Sequence, residues 1–239
     1  MPKHAIRNTI PALMTILVFF FAQGATVIIF DLEGSTAVLT QASIIWACAG
    51  VTILFYLIRH RGLKKLGFQK PVSGSGRRFL YFVPLLTLST ASFAGGIISD
   101  AGMMIVPNLF FTLGIGFAEE IYFRGIICGI WKDNEKAAII ISSVLFALCH
   151  LMNIMGGAGL SETLLQIAFA LVYGFVMAFI FLRAESIWPC ILLHAFHDFC
   201  GFITAEEDII HTLIVGSTQF ILLAAYCIYL AITLNSKEK

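Results

Sequence analysis

The chain has 239 residues, of which 59% are hydrophobic and only 12% are charged, and its formal net charge is +1. Soluble domains average about 45–50% apolar and about 25% charged residues. This composition excludes a soluble globular protein, and the near-neutral charge gives no support to a nucleic-acid partner. The six cysteines lie in apolar stretches without metal-ligand spacing, so we expect buried free thiols.

Eight stretches are apolar and long enough to cross a bilayer, because about 20 helical residues span a hydrocarbon core of about 30 Å. In chain order they are Ile10–Phe30, Ala37–Ile58, Phe79–Ile98, Met103–Phe123, Ala137–Ile154, Thr163–Leu182, Ile187–Ile203 and Ile209–Leu234. The sequence therefore predicts an all-α, polytopic membrane helix bundle of about eight transmembrane helices. In a prokaryote, such a multi-pass protein would lie in the plasma membrane.

The distribution of lysine and arginine predicts how these helices are oriented. Cytoplasmic loops carry these residues in excess, and a cytoplasmic N-terminus places all 15 of them on the cytoplasmic side. The opposite loops carry only acidic charges: Asp31, Glu33, Asp100, Glu162, Glu206, Glu207 and Asp208. Both termini are therefore predicted to be cytoplasmic.

We expect a single integral membrane domain over residues 1–239. Residues 1–58 would form two peripheral helices, and residues 79–234 would form a six-helix part that carries the chemistry. The basic, glycine-rich loop Arg59–Arg78 connects them, and its charges favour contact with an anionic leaflet, which makes membrane lipid a predicted partner. No internal repeat supports a transporter built from duplicated halves.

The fourth apolar stretch contains two adjacent acids, Glu119 and Glu120, followed by Arg124. Ionisable groups at bilayer depth cost about 3 kcal/mol on insertion scales and are candidates for function. On a helix Glu120 and Arg124 are four residues apart and face one another, whereas Glu119 points about 100° away. One carboxylate is thus neutralised locally, and the other is free to act as a general base.

Two further motifs place histidines in apolar helices. Phe146 lies one turn before His150, where its ring can pack under the imidazole. His194 and Asp198 lie four residues apart on one helix face, which suits joint action on a metal or an oxyanion. His197 lies close to that face, either as a hydrogen-bonding support or, as we favour, as a packing residue.

Taken in order, these three motifs resemble the CAAX-protease and bacteriocin-processing (CPBP/Abi) family of intramembrane proteases. The resemblance covers Phe117 to Gly201. It implies an intramembrane endopeptidase that hydrolyses a membrane-associated or lipidated peptide or protein. By the resemblance, Glu119 activates the attacking water together with His150, and Glu120 and Arg124 support them.

The resemblance also implies two versions of the chemistry of the third motif. In one, His194 and Asp198 stabilise the oxyanion and no cofactor is needed. In the other, the enzyme uses zinc, with Glu119, His150 and His194 as the candidate ligands. Many family members have asparagine where this chain has Asp198, and an ionised aspartate cannot donate hydrogen bonds.

These motifs come together only if the fourth helix is longer than its predicted span. A helix ending at Phe123 would leave Glu119 about 6 Å from the inner surface and His150 much deeper. We therefore expect the helix to continue towards Trp131, and we expect a water-filled cavity open toward the cytoplasm. The remaining alternatives are a non-proteolytic membrane partner or immunity factor, and a proton-coupled transporter that uses the same buried groups.

Overall fold

The computed structural model describes residues 3–73, 82–98, 101–205 and 209–235. Within these ranges the chain forms eight α-helices: α1 (Lys3–Ile29), α2 (Gly34–His60), α3 (Val83–Ala91), α4 (Ala101–Glu120), α5 (Glu135–Cys149), α6 (Leu160–Ala184), α7 (Trp188–Phe202) and α8 (Ile209–Asn235). α4 continues directly into a π-helix, Ile121–Cys128. Short 3₁₀ segments follow α2, α3 and α5 at Lys64–Leu66, Ser92–Gly95 and His150–Ile154. The prediction of an all-α membrane helix bundle is confirmed.

Six helices in the described part of the chain are long and apolar enough to cross a membrane. They are His4–Ile29, Gly34–His60, Gly102–Cys128, Glu135–Ile154, Leu160–Ala184 and Ile214–Ile232. The predicted third and seventh spans correspond to α3 and α7, which have only 9 and 15 residues. Residues 79–81 of the third span lie outside the described residues. The count of eight spans and the location of the termini stay predictions.

α4 and α7 approach each other closely at Gly116. A Cβ atom at this position would lie 2.8 Å from the backbone nitrogen of Ala195 and 2.9 Å from the carbonyl oxygen of Ile191. Only glycine lets the two backbones come this close. The contact places the end of α4, with its two glutamates, beside His194 of α7.

Replacing Gly116 with alanine is therefore expected to lower the stability of the folded protein by about 1–3 kcal/mol, the usual cost of overpacking a tight contact. The matched control is Gly50→Ala on α2, where an added Cβ meets nothing within 4 Å. Thermal unfolding in detergent measures both variants. Equal midpoints for the two variants would contradict the close α4–α7 packing.

The loop after α2 packs against the ends of neighbouring helices. Together with residues of the π-helix and α7 it forms an apolar cluster, which we call the basal plug. Its fully or nearly fully buried members are Leu66, Ile121, Ile187 and Ile191. Gly67 shapes the loop, since its φ is +85° and an added Cβ would lie 2.6 Å from the ring of Phe181. Its carbonyl accepts a hydrogen bond from the Ile187 amide at 2.9 Å. The first part of the predicted linker is thus packed structure; residues 74–78 lie outside the described ranges.

The first two helices pack against α4 and its extension. The Trp46 ring of α2 stacks on Phe110 with centroids 5.9 Å apart, and its Nε1 donates to the Phe110 carbonyl at 3.1 Å. On α1, Phe19 contacts the ring of Tyr122 at 5.6 Å. These contacts let α1 and α2 contribute to the wall of the site described next.

Candidate active site

The two glutamates close the α-helical part of α4, at the point where the helix changes to π geometry. π-Helical turns are rare and often accompany functional sites. Glu120 is fully buried and Glu119 is 7% exposed. The helix continues beyond Phe123, as predicted. The π-helix runs to Cys128, and Gly129 and Ile130 are α-helical up to the turn at Trp131.

The Glu120 carboxylate binds two partners through one oxygen. Arg124 donates from Nη1 to Oε1 at 3.0 Å, and His194 donates from Nδ1 to the same atom at 2.8 Å. Arg124 also donates from Nη2 to the carbonyl of Gly174 at 3.3 Å. The predicted Glu120–Arg124 pair is therefore present, and Glu120 also joins α4 to the third motif on α7.

His194 lies between three carboxylates. With Nδ1 on Glu120, its Nε2 is 3.7 Å from Oε2 of Glu119 and 3.6 Å from Oδ2 of Asp198. These two separations exceed a direct hydrogen bond, and polar contacts of this length are often bridged by water. The i, i+4 pairing of His194 with Asp198 places both on the face of α7 that meets Glu119.

The ring of Phe146 organises the two motif histidines. It makes edge contacts with His150 at 5.2 Å and with His194 at 5.7 Å, and the Arg124 guanidinium lies 4.6 Å from its centroid. His150 Nδ1 is 3.1 Å from the Phe146 carbonyl. Because a carbonyl only accepts, Nδ1 carries the hydrogen, which leaves Nε2 available to accept one.

His197 packs away from this cluster. Its ring stacks on Phe169 at 5.5 Å and on Tyr173 at 5.1 Å, and its Nδ1 is 3.3 Å from Ser89 Oγ. These contacts agree with the packing role that we favoured for His197, and they add a hydrogen bond to α3.

A cavity of about 600 Å³ brings most of the predicted residues together; we call it the motif cavity. Its wall includes Glu119, His150, His194, Asp198 and Phe146, whereas Glu120, Arg124 and His197 do not border it. Residues of α1 and α2 complete the wall: Phe20, Phe21, Gln23, Gly24, Ala25, Ile28, Ile29 and Gln41. Four of the five residues predicted to be catalytic thus face one space, and the fifth, Glu120, lies behind His194.

The zinc alternative requires three side chains to converge on one point. Among the described residues, no group of three or more His, Cys, Asp or Glu side chains is arranged to hold a metal ion. The Nδ1 atoms of His194 and His150 bind Glu120 and a backbone carbonyl, which leaves both Nε2 atoms directed elsewhere, an arrangement that metal-bound histidines often share. The six cysteines are free thiols, of which four are buried as expected, whereas Cys48 and Cys227 are partly exposed. The zinc alternative stays a prediction, and we derive no step through a metal.

Tyr173 and the amides at the cavity edge were missed by the sequence reasoning. Tyr173 of α6 is buried and contacts the ring of His194 at 5.6 Å as well as that of His197. Gln166 and Asn153 border the cavity and hydrogen-bond each other at 2.7 Å. The signal in the sequence is an amide or phenol side chain within or beside an apolar stretch, where only acids, bases and imidazoles had been considered as candidates.

Comparison with known proteins supports the same region. No curated protein matches the chain. A family model described as type II CAAX prenyl endopeptidase, Rce1-like, matches residues 101–200. This range runs through all three motifs and the helices α4 to α7 that carry them. Residues 101–200 thus match the Rce1-like family of type II CAAX prenyl endopeptidases, and the resemblance predicted from the motifs is confirmed.

Proposed function

We propose that this protein is an intramembrane endopeptidase that hydrolyses a peptide bond of a membrane-associated or lipidated peptide or protein, with water activated by Glu119. The observation that carries the proposal is that two adjacent glutamates have different surroundings. Glu120 is bound by Arg124 and His194, whereas Glu119 faces the motif cavity. The Rce1-like match supports a CAAX-type endopeptidase as the general class.

The first step is the attack of water on the scissile carbonyl. Glu119 takes one proton of a water bound in the cavity, while the oxygen forms a bond to the carbonyl carbon. His150 accepts the second hydrogen of that water through its free Nε2 and orients it. The product of this step is a tetrahedral intermediate with a negative oxygen, and no covalent bond to the protein forms.

The second step needs a donor for that oxygen. An ionised Asp198 cannot donate, so we assign the oxyanion contact to His194 in its doubly protonated form. In that form Nδ1 donates to Glu120 and Nε2, which lies at the cavity wall, donates to the oxyanion. Glu120 is a positioning residue, because its bond to Nδ1 fixes the orientation of that imidazole. When the intermediate collapses, the carbon–nitrogen bond breaks and Glu119 returns its proton to the leaving amine. The products are a carboxylic acid and an amine, which become a carboxylate and an ammonium once the proton on the attacking oxygen is transferred to the amine.

A cleavage assay in detergent tests the proposal. The purified full chain is given fluorogenic peptides with and without a prenyl group, and products are identified by mass spectrometry. Cleavage at one bond, retained after exhaustive chelation and with no zinc found by elemental analysis, supports the glutamate mechanism. Loss of cleavage on chelation, with recovery on adding zinc, would favour the metal version. No cleavage, but substrate flux into sealed vesicles, would overturn the proposal in favour of a carrier.

Replacing His150 with glutamine is expected to lower the cleavage rate by about 10²-fold or more, the range typical of losing a group that assists proton transfer. The control is His4→Gln, which removes an exposed imidazole at the start of α1. Both variants should match the wild type in elution volume on size-exclusion chromatography and in thermal unfolding midpoint. Wild-type cleavage rates in His150→Gln would remove His150 from the mechanism.

A further inference from the structure

We infer that the motif cavity is loaded from the side of the membrane opposite the basic loops, and that the substrate is a peptide segment presented at that non-cytoplasmic side. The inference rests on the proposed function for its substrate and on the structure for its direction.

The cavity becomes more exposed towards the turns that follow α1 and α5. Its inner wall is formed by buried side chains, among them Phe123 and Phe146. At the far end it is bordered by Ile29 and Met155, which are 74% and 57% exposed. Within the described residues, the mouth therefore lies beside the α1–α2 turn and the α5–α6 turn.

The basal plug closes the other end. Leu66 is fully buried and packs against Gly125 of the π-helix, where an added Cβ would lie 3.2 Å from the Leu66 side chain. Ser186 Oγ donates to the carbonyl of Gln69 at 2.7 Å and ties the α6–α7 turn to this loop. The described part of the loop thus seals the bundle beneath Glu119 and His194.

The loop charges give these two ends a direction. The sealed end carries exposed Arg61, Lys64 and Lys65 in the loop after α2, together with Lys132 before α5 and Lys136 in the first turn of α5. The open end carries the acids Asp31 and Glu33 between α1 and α2. Because basic loops remain cytoplasmic, the sealed end is the cytoplasmic one. With this orientation the cavity opens on the non-cytoplasmic side. The predicted cytoplasmic opening of the cavity is therefore incompatible with the predicted cytoplasmic location of the basic loops.

The mouth also indicates what kind of segment it takes. Amide side chains from separate helical segments border the cavity: Gln23, Gln41, Asn153 and Gln166. Amides can donate to and accept from the backbone of an extended peptide. No lysine or arginine is among the described lining residues, so no basic side chain awaits an acidic group there. An extended segment without acidic side chains, presented at the non-cytoplasmic side, fits this surface.

Two cysteine variants of the full-length protein locate the two ends. Gln41→Cys places a thiol at the mouth of the motif cavity. Lys64→Cys places a thiol at an exposed position of the loop after α2. Intact cells are treated with a membrane-impermeant maleimide, and the labelled positions are read by mass spectrometry. We expect Gln41→Cys to be labelled in intact cells and Lys64→Cys only after permeabilisation. The reverse pattern would overturn the inference, because the mouth would then be cytoplasmic.

Cleavage by oriented vesicles tests loading itself. A membrane-impermeant fluorogenic peptide, already cleaved in detergent, is given to sealed right-side-out and inverted vesicles. We expect right-side-out vesicles to be at least about tenfold more active, and detergent to abolish the difference. Activity confined to inverted vesicles would overturn the inference while leaving the endopeptidase proposal intact. If detergent-solubilised protein cleaves nothing, the endopeptidase proposal fails, and the labelling experiment still decides the direction of the mouth.

Discussion

Glu119→Gln is expected to lose cleavage by about 10²–10⁴-fold, the contribution typical of a positioned general base. Glutamine has nearly the same shape but cannot take a proton from water. Glu119 makes no direct hydrogen bond to the buried Glu120–Arg124–His194 network. Its Oε2 lies 3.7 Å from Nε2 of His194. The fold should therefore survive, and the measurement is the initial rate in detergent at equal amounts of folded protein.

The control for this variant is Glu33→Gln, which neutralises an exposed acid between α1 and α2. It changes the net charge by the same amount and should leave the rate unchanged. Full activity in Glu119→Gln would remove the hydrolytic mechanism proposed above. An equal loss in both variants would point to a general effect of charge.

Arg124→Gln is expected to destabilise the protein by about 3–5 kcal/mol, because it leaves Glu120 as a buried charge that has lost its main counter-ion. Arg124 and Glu120 are both fully buried, and Arg124 also serves the Gly174 carbonyl. Cleavage should fall as well, since Glu120 positions His194. Thermal or denaturant unfolding in detergent measures the stability, and the rate is measured below the unfolding transition.

A second substitution separates the pair from the rest of the network. Glu120→Gln combined with Arg124→Gln removes both charges, so the double variant should be more stable than Arg124→Gln alone. Arg7→Gln, which neutralises an exposed residue near the start of α1, is the control. If the double variant is as unstable as the sum of the single ones, the two residues do not act as a pair.

The helical membrane fold and the residue types of the candidate site can be predicted from the amino-acid sequence alone. Long apolar stretches must form helices in a bilayer, because only internal hydrogen bonds satisfy their backbones there. The four-residue spacing of Glu120 and Arg124, and of His194 and Asp198, follows from helical geometry alone and is present as expected. For the same reason Phe146 packs against His150 one turn later.

The contacts between helices cannot be predicted from local periodicity and are seen only in the folded protein. The bond from His194 to Glu120 joins residues 74 positions apart, and it depends on the close backbone approach at Gly116. Hydropathy counted α7 as a span, although this helix has only 15 residues. The direction of the cavity depends on how Leu66 packs beneath the bundle. Spacing along one helix fixes which side chains share a face, but only packing between helices fixes which faces meet and which end stays open.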